Sequence, residues 1–232
     1  KEMIFTSGGP ESNNMALIGA AMANRRRGQH LITTRIEHAS VYNPMFYLEE
    51  MGFEVTYLPV DHVGRVDLKA LEEAVREDTI LVSVMCVNNE IGTVQPLEDV
   101  VRIVKAKNPD TLIHSDAIQG FGKVLLYPKK MGLDLMSISG HKFHGPKGTG
   151  LLWVRDKVKV NPLILGGGQQ KDRRSGTENV PGVAGMARAA QVEFDHFAER
   201  QEKTYALRRY FIDEIRKLDG TIVNGGDMPG TT

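Results

Sequence analysis

Lys142 lies in a sequence setting that is unusual for a surface lysine. It belongs to the segment SISGHKFHGPKG (residues 137–148), where glycine, histidine and an aromatic residue flank it just after an apolar run. Desolvation lowers the pKa of a lysine, and a neutral amine can attack a carbonyl carbon to form a C=N bond. Lys142 is therefore a candidate covalent anchor for an aldehyde, although an exposed loop lysine is the simpler interpretation of this segment alone.

Three further polar segments could supply the rest of a site. The turn TSGGPES (residues 6–12) precedes a helical pattern, so its backbone N–H groups could approach a phosphate, or it could be a plain turn. The segment VNNEIG (87–92) carries two adjacent amides, which could bind a ligand or cap a helix. In HSDAIQG (114–120), Asp116 and Gln119 could point into one crevice, although aspartate is also a favoured N-cap residue.

One cofactor would use all four segments. Pyridoxal phosphate (PLP) needs a lysine for its aldehyde, a carboxylate for its ring nitrogen, a phosphate cradle, and polar groups for its ring hydroxyl. Lys142 and Asp116 match the first two needs. The turn at 8–12 together with Ser139 matches the cradle, and Asn89 with Gln119 matches the polar groups.

The elements that must position these residues follow from the hydrophobic pattern. Short, often continuous apolar runs alternate with helical stretches, which favours an α/β fold with a mostly parallel sheet. The predicted strands are Met3–Phe5, Leu31–Arg35, Glu54–Leu58, Leu81–Val87, Leu112–His114, Leu135–Ile138 and Gly150–Val154. The predicted helices include Glu11–Arg27, Asp67–Glu77, Pro96–Lys107 and a long stretch at Gly182–Leu218. The polar segments then lie at strand ends, where open α/β sheets bind ligands.

The composition is that of an ordinary globular protein. The 232 residues include 29 Lys and Arg against 29 Asp and Glu, and 41% are hydrophobic. Zero net charge argues against nucleic acid or an acidic membrane as a partner. No apolar run approaches the ~20 residues of a membrane-spanning helix. The single cysteine, Cys86, cannot form an internal disulfide, so we expect a cytoplasmic protein.

Cys86 and two histidines are weaker candidates for chemistry. Cys86 lies in an apolar strand run, where a thiol behaves as a small hydrophobe and is inert. His141 and His144 are three residues apart, a spacing that could bind a metal on a helix. The surrounding glycines and Pro146 argue against a helix there, so we predict no metal site.

The sequence resembles the cysteine desulfurases of nitrogenase and iron–sulfur cluster assembly, within the class V aminotransferase family. The matching stretches are FTSGGPESNN, Glu37-His38, GFEVTYLPVD, VNNEIGTVQP, HSDAIQGFGK, SISGHKFHGPKGTG and GGGQQKDRRSGTENV. They occur in order along nearly the whole chain. The resemblance implies the type I PLP fold, with a seven-stranded, mostly parallel sheet and helices on both faces.

The resemblance also assigns roles around the PLP ring. Lys142 matches the lysine that carries the cofactor, and Asp116 matches the carboxylate that keeps the ring nitrogen protonated. His38 matches the imidazole that stacks on the ring and moves protons. Asn89 and Gln119 match the residues that contact the ring hydroxyl.

A second group of residues matches the phosphate site. Gly9 and Pro10 occupy the first turn, and Ser139 and His141 match phosphate ligands just before the lysine. Thr177 matches the threonine that reaches the phosphate of the opposite subunit in the family's dimer. The family usually has Ala-Thr where this chain has Gly9-Pro10. Because proline has neither a hydroxyl nor an N–H, we expect weaker cofactor retention here.

The activity that the resemblance implies is conversion of L-cysteine to L-alanine, with sulfur passed as a persulfide to an iron–sulfur scaffold or another acceptor protein. In the family, the nucleophilic cysteine lies in a second domain, at a position beyond the last residue of this chain. We expect residues 1–200 to be a PLP-binding domain that is incomplete at its N-terminus. We expect residues 201–232 to begin the second domain. The alternatives are a selenocysteine lyase, another class V aminotransferase or lyase, and a non-catalytic PLP-fold domain for dimerisation.

Overall fold

A computed structural model of the protein, describing residues 2–225, contains one seven-stranded sheet. The strand order is β1-β7-β6-β5-β4-β2-β3. The strands are β1 (Met3–Thr6), β2 (His30–Thr34), β3 (Glu54–Leu58), β4 (Thr79–Ser83), β5 (Leu112–Asp116), β6 (Leu135–Ser139) and β7 (Gly150–Val154). All seven predicted strands are present, so the α/β fold class is confirmed.

The direction of the strands gathers the polar segments at one edge of the sheet. β7 runs antiparallel to its neighbours β1 and β6. The pairs β2–β3, β2–β4, β4–β5 and β5–β6 are all parallel. The carboxyl ends of these parallel strands therefore meet at the same edge, which is where such sheets bind ligands.

Helices cover both faces of the sheet. They are α1 (Gly9–Asn14), continued by a π-helical turn (Met15–Gly19) into α2 (Ala20–Asn24), then α3 (Ala39–Glu50), α4 (Leu68–Ala74), α5 (Leu97–Lys107), α6 (Pro128–Met131), α7 (Val180–Asp195) and α8 (Phe197–Ile215). The predicted helix at Gly182–Leu218 is divided at His196, and the 200/201 domain boundary falls inside α8. The sequence did not predict α3. Pro44 lies inside this helix, where proline is unfavourable, and the apolar residues form only a weak stripe along one face.

Alternation of side chains along each strand builds two cores, one on each face. Leu31 and Leu112 pack in one cluster, while their chain neighbours Ile32 and Ile113 pack in the other. Both faces are apolar because both are covered by helices, which explains the continuous apolar runs in the sequence. Among residues 2–225, no helix is both long enough and apolar enough to cross a bilayer.

A buried histidine bridges three strands in the middle of the sheet. His114 Nδ1 lies 2.8 Å from Ser83 Oγ, and its Nε2 lies 2.9 Å from Ser137 Oγ. Burial lowers the pKa of His114 to about 3. The unfolded chain, with a pKa of about 6.5, therefore binds a proton that the folded chain excludes between pH 6.5 and 3.

We expect this histidine to make the fold sensitive to acid. The contribution of His114 to the free energy of unfolding should decrease by up to ~1.4 kcal/mol for each pH unit as the pH falls below 6.5. Urea unfolding at pH 7, 5.5 and 4.5 would measure this, with His114→Asn giving a shallower pH dependence than wild type. His62→Gln, which changes an exposed histidine, is the control. Parallel profiles for wild type and His114→Asn would contradict the prediction.

Candidate functional site

Lys142 lies in a 3₁₀ turn (Gly140–Phe143) that begins directly after β6. The turn closes through a hydrogen bond from Gly145 N to Gly140 O (2.9 Å). The lysine side chain is exposed, unlike the desolvated setting that the sequence suggested, although Gly140 and Phe143 of the same turn are buried. It lines a cavity of about 750 Å³ together with Gln119 and Phe143.

Asp116 is the last residue of β5 and is buried. Ile118 N donates to Asp116 Oδ1 (2.9 Å), and Asn13 Nδ2 donates to Asp116 Oδ2 (2.7 Å). Burial raises the pKa of this carboxyl, while both hydrogen bonds and the charge of His38 act to lower it. Both oxygens are thus held in place by donors that favour the ionised form.

A chain of hydrogen bonds joins Asp116 to His38. Asn13 Nδ2 also lies 2.8 Å from Ser40 Oγ, and Ser40 Oγ lies 2.8 Å from His38 Nδ1. His38 caps α3, since its Nδ1 accepts from Ser40 N (3.0 Å). Because Nδ1 is an acceptor, the neutral ring carries its proton on Nε2. Sequence reasoning missed Asn13 and Ser40, whose polar types gave no signal of this long-range contact.

The turn before α1 lies against the end of β6. A Cβ added to Gly9 would lie 2.2 Å from Ile118 Cδ1 and 3.6 Å from Ser139 Cβ, so a larger residue there would require the Ile118 side chain to move. Ser139 Oγ lies 3.0 Å from His141 Nδ1. Gly9 is thereby brought next to Ser139 and His141, which come from a different predicted segment. Pro10 is exposed at the start of α1.

The two predicted ring-hydroxyl contacts have charged neighbours. Asn89 Nδ2 donates to Glu90 Oε1 (2.6 Å), and Gln119 Oε1 accepts from Lys123 Nζ (2.9 Å). Loss of hydration and the charge of Lys142 lower the pKa of Lys123. Sequence reasoning missed Lys123, which lines the same cavity as Gln119 and Lys142.

Thr177 is exposed, in a loop that an ion pair ties to the start of α1. Arg174 Nε lies 2.8 Å from Glu11 Oε1, and Ser7 N donates to Glu11 Oε2 (2.8 Å). Glu11 therefore organises the glycine turn and anchors the loop that carries Thr177.

Cys86 follows β4 rather than lying in it, because the strand ends at Ser83. The thiol is buried against Gly120. Burial, with a smaller contribution from Asp116, raises the pKa of Cys86 to about 12. Since the thiolate is the nucleophile, this cysteine is inert at neutral pH, as its apolar sequence setting predicted.

The donor set fits PLP. In the register of the sheet, Asp116 pairs with Ser137, and β6 continues two residues further to Ser139, just before the Lys142 turn. A buried carboxylate with a fixed orientation suits a protonated ring nitrogen, and an exposed amine suits an aldehyde. The closely packed Gly9 backbone beside the Ser139 hydroxyl suits a phosphate.

Comparison with known proteins places this geometry in a family. The model of the aminotransferase class-V family matches residues 1–230. "Cysteine desulfurase IscS 1" from Archaeoglobus fulgidus is 46% identical over 224 residues, which are 97% of this chain and 58% of that protein. The chain thus spans less than two thirds of this relative.

Solved structures agree with the sequence comparison. A "NifS-like protein" superposes with a TM-score of 0.94 at 46% identity, covering 96% of this chain and 61% of its own. A structure described as "SspA in complex with cysteine" superposes with a TM-score of 0.78 at 43% identity, covering 82% of this chain and 55% of its own.

Proposed function

This chain belongs to the aminotransferase class-V family, and we propose that the protein is a PLP-dependent cysteine desulfurase. The reaction converts L-cysteine to L-alanine and passes the sulfur, as a persulfide, to an iron–sulfur scaffold or another acceptor protein. The observation that carries the proposal is the buried Asp116 at the end of β5, adjacent to the strand that leads into the Lys142 turn. The names of the similar proteins support desulfurase rather than amino transfer.

Each side chain near the ring has a role in this proposal. When bound, PLP supplies an aldehyde for amines and an electron-withdrawing ring that stabilises charge on the substrate's α-carbon. Lys142 Nζ would hold the cofactor, and the free Lys142 amine would be the base that accepts the α-proton of the substrate. Asp116 would stabilise a proton on the ring nitrogen, and His38 would contact the ring and transfer protons through Nε2. Gln119 and Asn89 orient the ring hydroxyl.

The phosphate end uses residues of two subunits in this proposal. Gly9, Ser139 and His141 bind the phosphate of their own subunit, and Thr177 reaches the phosphate of the other subunit in a homodimer. The exposure of Thr177, on a loop that Arg174 and Glu11 hold in place, supports this assignment.

The attack on the substrate sulfur requires a thiolate that Cys86 does not supply. A buried thiol with a raised pKa does not ionise at neutral pH. We therefore assign the attack to a cysteine outside these 232 residues, on a second domain. We place residues 1–200 in the PLP-binding domain and 201–232 at the start of the second, of which 226–232 lie outside the described residues. A single cysteine in so long a stretch is consistent with a cytoplasmic enzyme.

Cofactor loading and product analysis of the whole protein test the proposal. We expect PLP to become covalently attached to Lys142 after borohydride reduction. With dithiothreitol present to reduce the persulfide, we expect L-cysteine to yield alanine and sulfide. Sulfide release without amino transfer to a keto acid supports a desulfurase. Activity with selenocysteine alone would indicate a selenocysteine lyase, and failure to take up PLP would indicate a non-catalytic domain.

Pro10 is expected to weaken PLP binding. A threonine at this position would offer the phosphate a hydroxyl and an N–H that proline lacks. We expect Pro10→Thr to lower the dissociation constant of PLP by about tenfold, the effect of one hydrogen bond to a charged group. Absorbance titration measures the change, and Pro128→Thr, in the first turn of α6, is the control. An unchanged dissociation constant would contradict this role for Pro10.

A further inference from the structure

One buried carboxyl group has no role in the reaction proposed above. Glu37 lies in the loop between β2 and α3, directly before His38. Its Oε1 accepts from Met85 N (2.8 Å) and from Thr34 Oγ1 (2.9 Å). Met85 lies two residues beyond the end of β4. The carboxyl group therefore joins the segments that follow two neighbouring parallel strands.

Hydrogen bonds of Asn88 connect the same two segments at a second point. Asn88 Nδ2 donates to Ile36 O (2.9 Å), and Asn88 Oδ1 accepts from Glu90 N and Ile91 N (3.0 Å each). Asn88 thus holds the turn that carries Asn89 against the loop that carries His38. The hydrogen bonds of Glu37 and those of Asn88 thus connect the same two segments, residues 35–38 and 84–91.

The second oxygen of Glu37 indicates the protonation state of the carboxyl group. Oε2 is buried and has no hydrogen-bond partner within residues 2–225. A buried, unpaired carboxylate oxygen is costly, whereas a protonated carboxyl group is neutral. Burial, assisted by the negative charge of Asp116 at the end of β5, raises the pKa of Glu37 to about 8. The hydrogen bonds from Met85 and Thr34 oppose this shift only in part.

We propose that Glu37 is a positioning residue, protonated at neutral pH, which clamps the loop bearing His38 onto the segment bearing Asn89. The clamp sets the distance between the imidazole and the amide, both of which would contact the cofactor ring, and in this respect it rests on the proposed function. The neutral form also adds no second negative charge beside Asp116. The charge that faces the ring nitrogen then comes from Asp116 alone.

Hydrogen exchange of the protein without cofactor tests the clamp itself. We expect Glu37→Leu to speed amide exchange by about tenfold in both segments, 35–38 and 84–91, because it removes the acceptor of Met85 N. Glu37→Gln keeps that acceptor and should change exchange by less than about twofold. Glu50→Leu, which changes an exposed glutamate at the end of α3, is the matched control. Unchanged exchange at 84–91 in Glu37→Leu would overturn the proposal.

The pH dependence of unfolding tests the protonation state, and it needs no leucine variant. A group with a folded pKa near 8 and an unfolded pKa near 4.5 stabilises the fold below pH 4.5 and loses that contribution as the pH rises to 8. The urea midpoint of wild type should therefore fall relative to that of Glu37→Gln between pH 5 and pH 8, and stay level above. Parallel profiles would show an ionised Glu37 and overturn the proposal.

Kinetics of the whole enzyme separate the clamp from the proposed function. With L-cysteine, we expect Glu37→Leu to lower kcat more than it raises KM, and Glu37→Gln to restore kcat near neutral pH. Equal kcat in wild type and Glu37→Leu would remove the link to catalysis. If wild type takes up no PLP, the proposed function fails, while the exchange and unfolding results still decide whether Glu37 is a protonated clamp.

Discussion

Replacement of Lys142 by alanine is expected to abolish covalent PLP attachment and to lower desulfurase activity by more than about 10⁴-fold. The proposed enzyme loses both the amine that holds the cofactor and the base that takes the α-proton, and each of these functions alone has a large effect on rate. Lys142→Arg should be equally inactive, because a guanidinium stays protonated and is no nucleophile. Mass spectrometry after borohydride reduction and sulfide release from L-cysteine measure the two losses.

Because Lys142 is exposed, loss of activity in Lys142→Ala can be separated from loss of stability. Its side chain contributes little to packing, so the unfolding temperature of Lys142→Ala should match that of wild type within a degree or two. Lys147→Ala, five residues further along the same loop and also exposed, should retain cofactor attachment and activity. Covalent PLP on a different lysine, or residual turnover in Lys142→Ala, would contradict the assignment.

Asp116→Asn is expected to lower kcat by about 10²–10³-fold, while the protein stays folded. The neutral amide cannot stabilise a proton on the ring nitrogen, and removal of one preorganised electrostatic partner has an effect of this size. The lost charge does not weaken the fold, because burial raises the pKa of Asp116. The ionised form therefore costs stability as the pH rises through the folded pKa, and the amide removes that cost.

The local hydrogen bonds can adapt to this substitution. Asn13 Oδ1 is buried without a hydrogen-bond partner in the described part of the chain. A rotation of the Asn13 amide would present this oxygen to the new amide, at the cost of its bond to Ser40 Oγ. We therefore expect Asp116→Asn to have an unfolding temperature at pH 8 no lower than that of wild type. Asp110→Asn, at an exposed aspartate, is the control. Parallel losses of stability and activity would indicate a structural role for Asp116.

The sequence predicted the strands well because short apolar runs bounded by polar turn segments are typical of strands buried in a parallel sheet. In a continuous apolar run such as Ile80–Val82, side chains on both faces of the strand must be buried, which requires helices on both faces of the sheet. The strand ends were less accurate. The apolar run at Leu81–Val87 continues past Ser83, where β4 stops, since residues in the buried segment beyond the strand are as apolar as those within it. The division of the last helix at His196 likewise has no strong breaker residue in the sequence.

The kinds of group at the candidate site could be predicted from sequence: an amine after β6, a carboxylate at the end of β5, glycine at the start of α1 and an imidazole after β2. The chemical properties of these side chains follow from their residue types, which can be read from the sequence. Which of these groups are in contact depends on the tertiary fold. Asn13 meets Asp116 across 103 residues and Ser40 across 27, and Glu37 meets Met85 across 48. Contacts of this kind depend on strand order and register, which local hydrophobic pattern does not encode, because the pairing energy comes from chain segments that are distant in sequence.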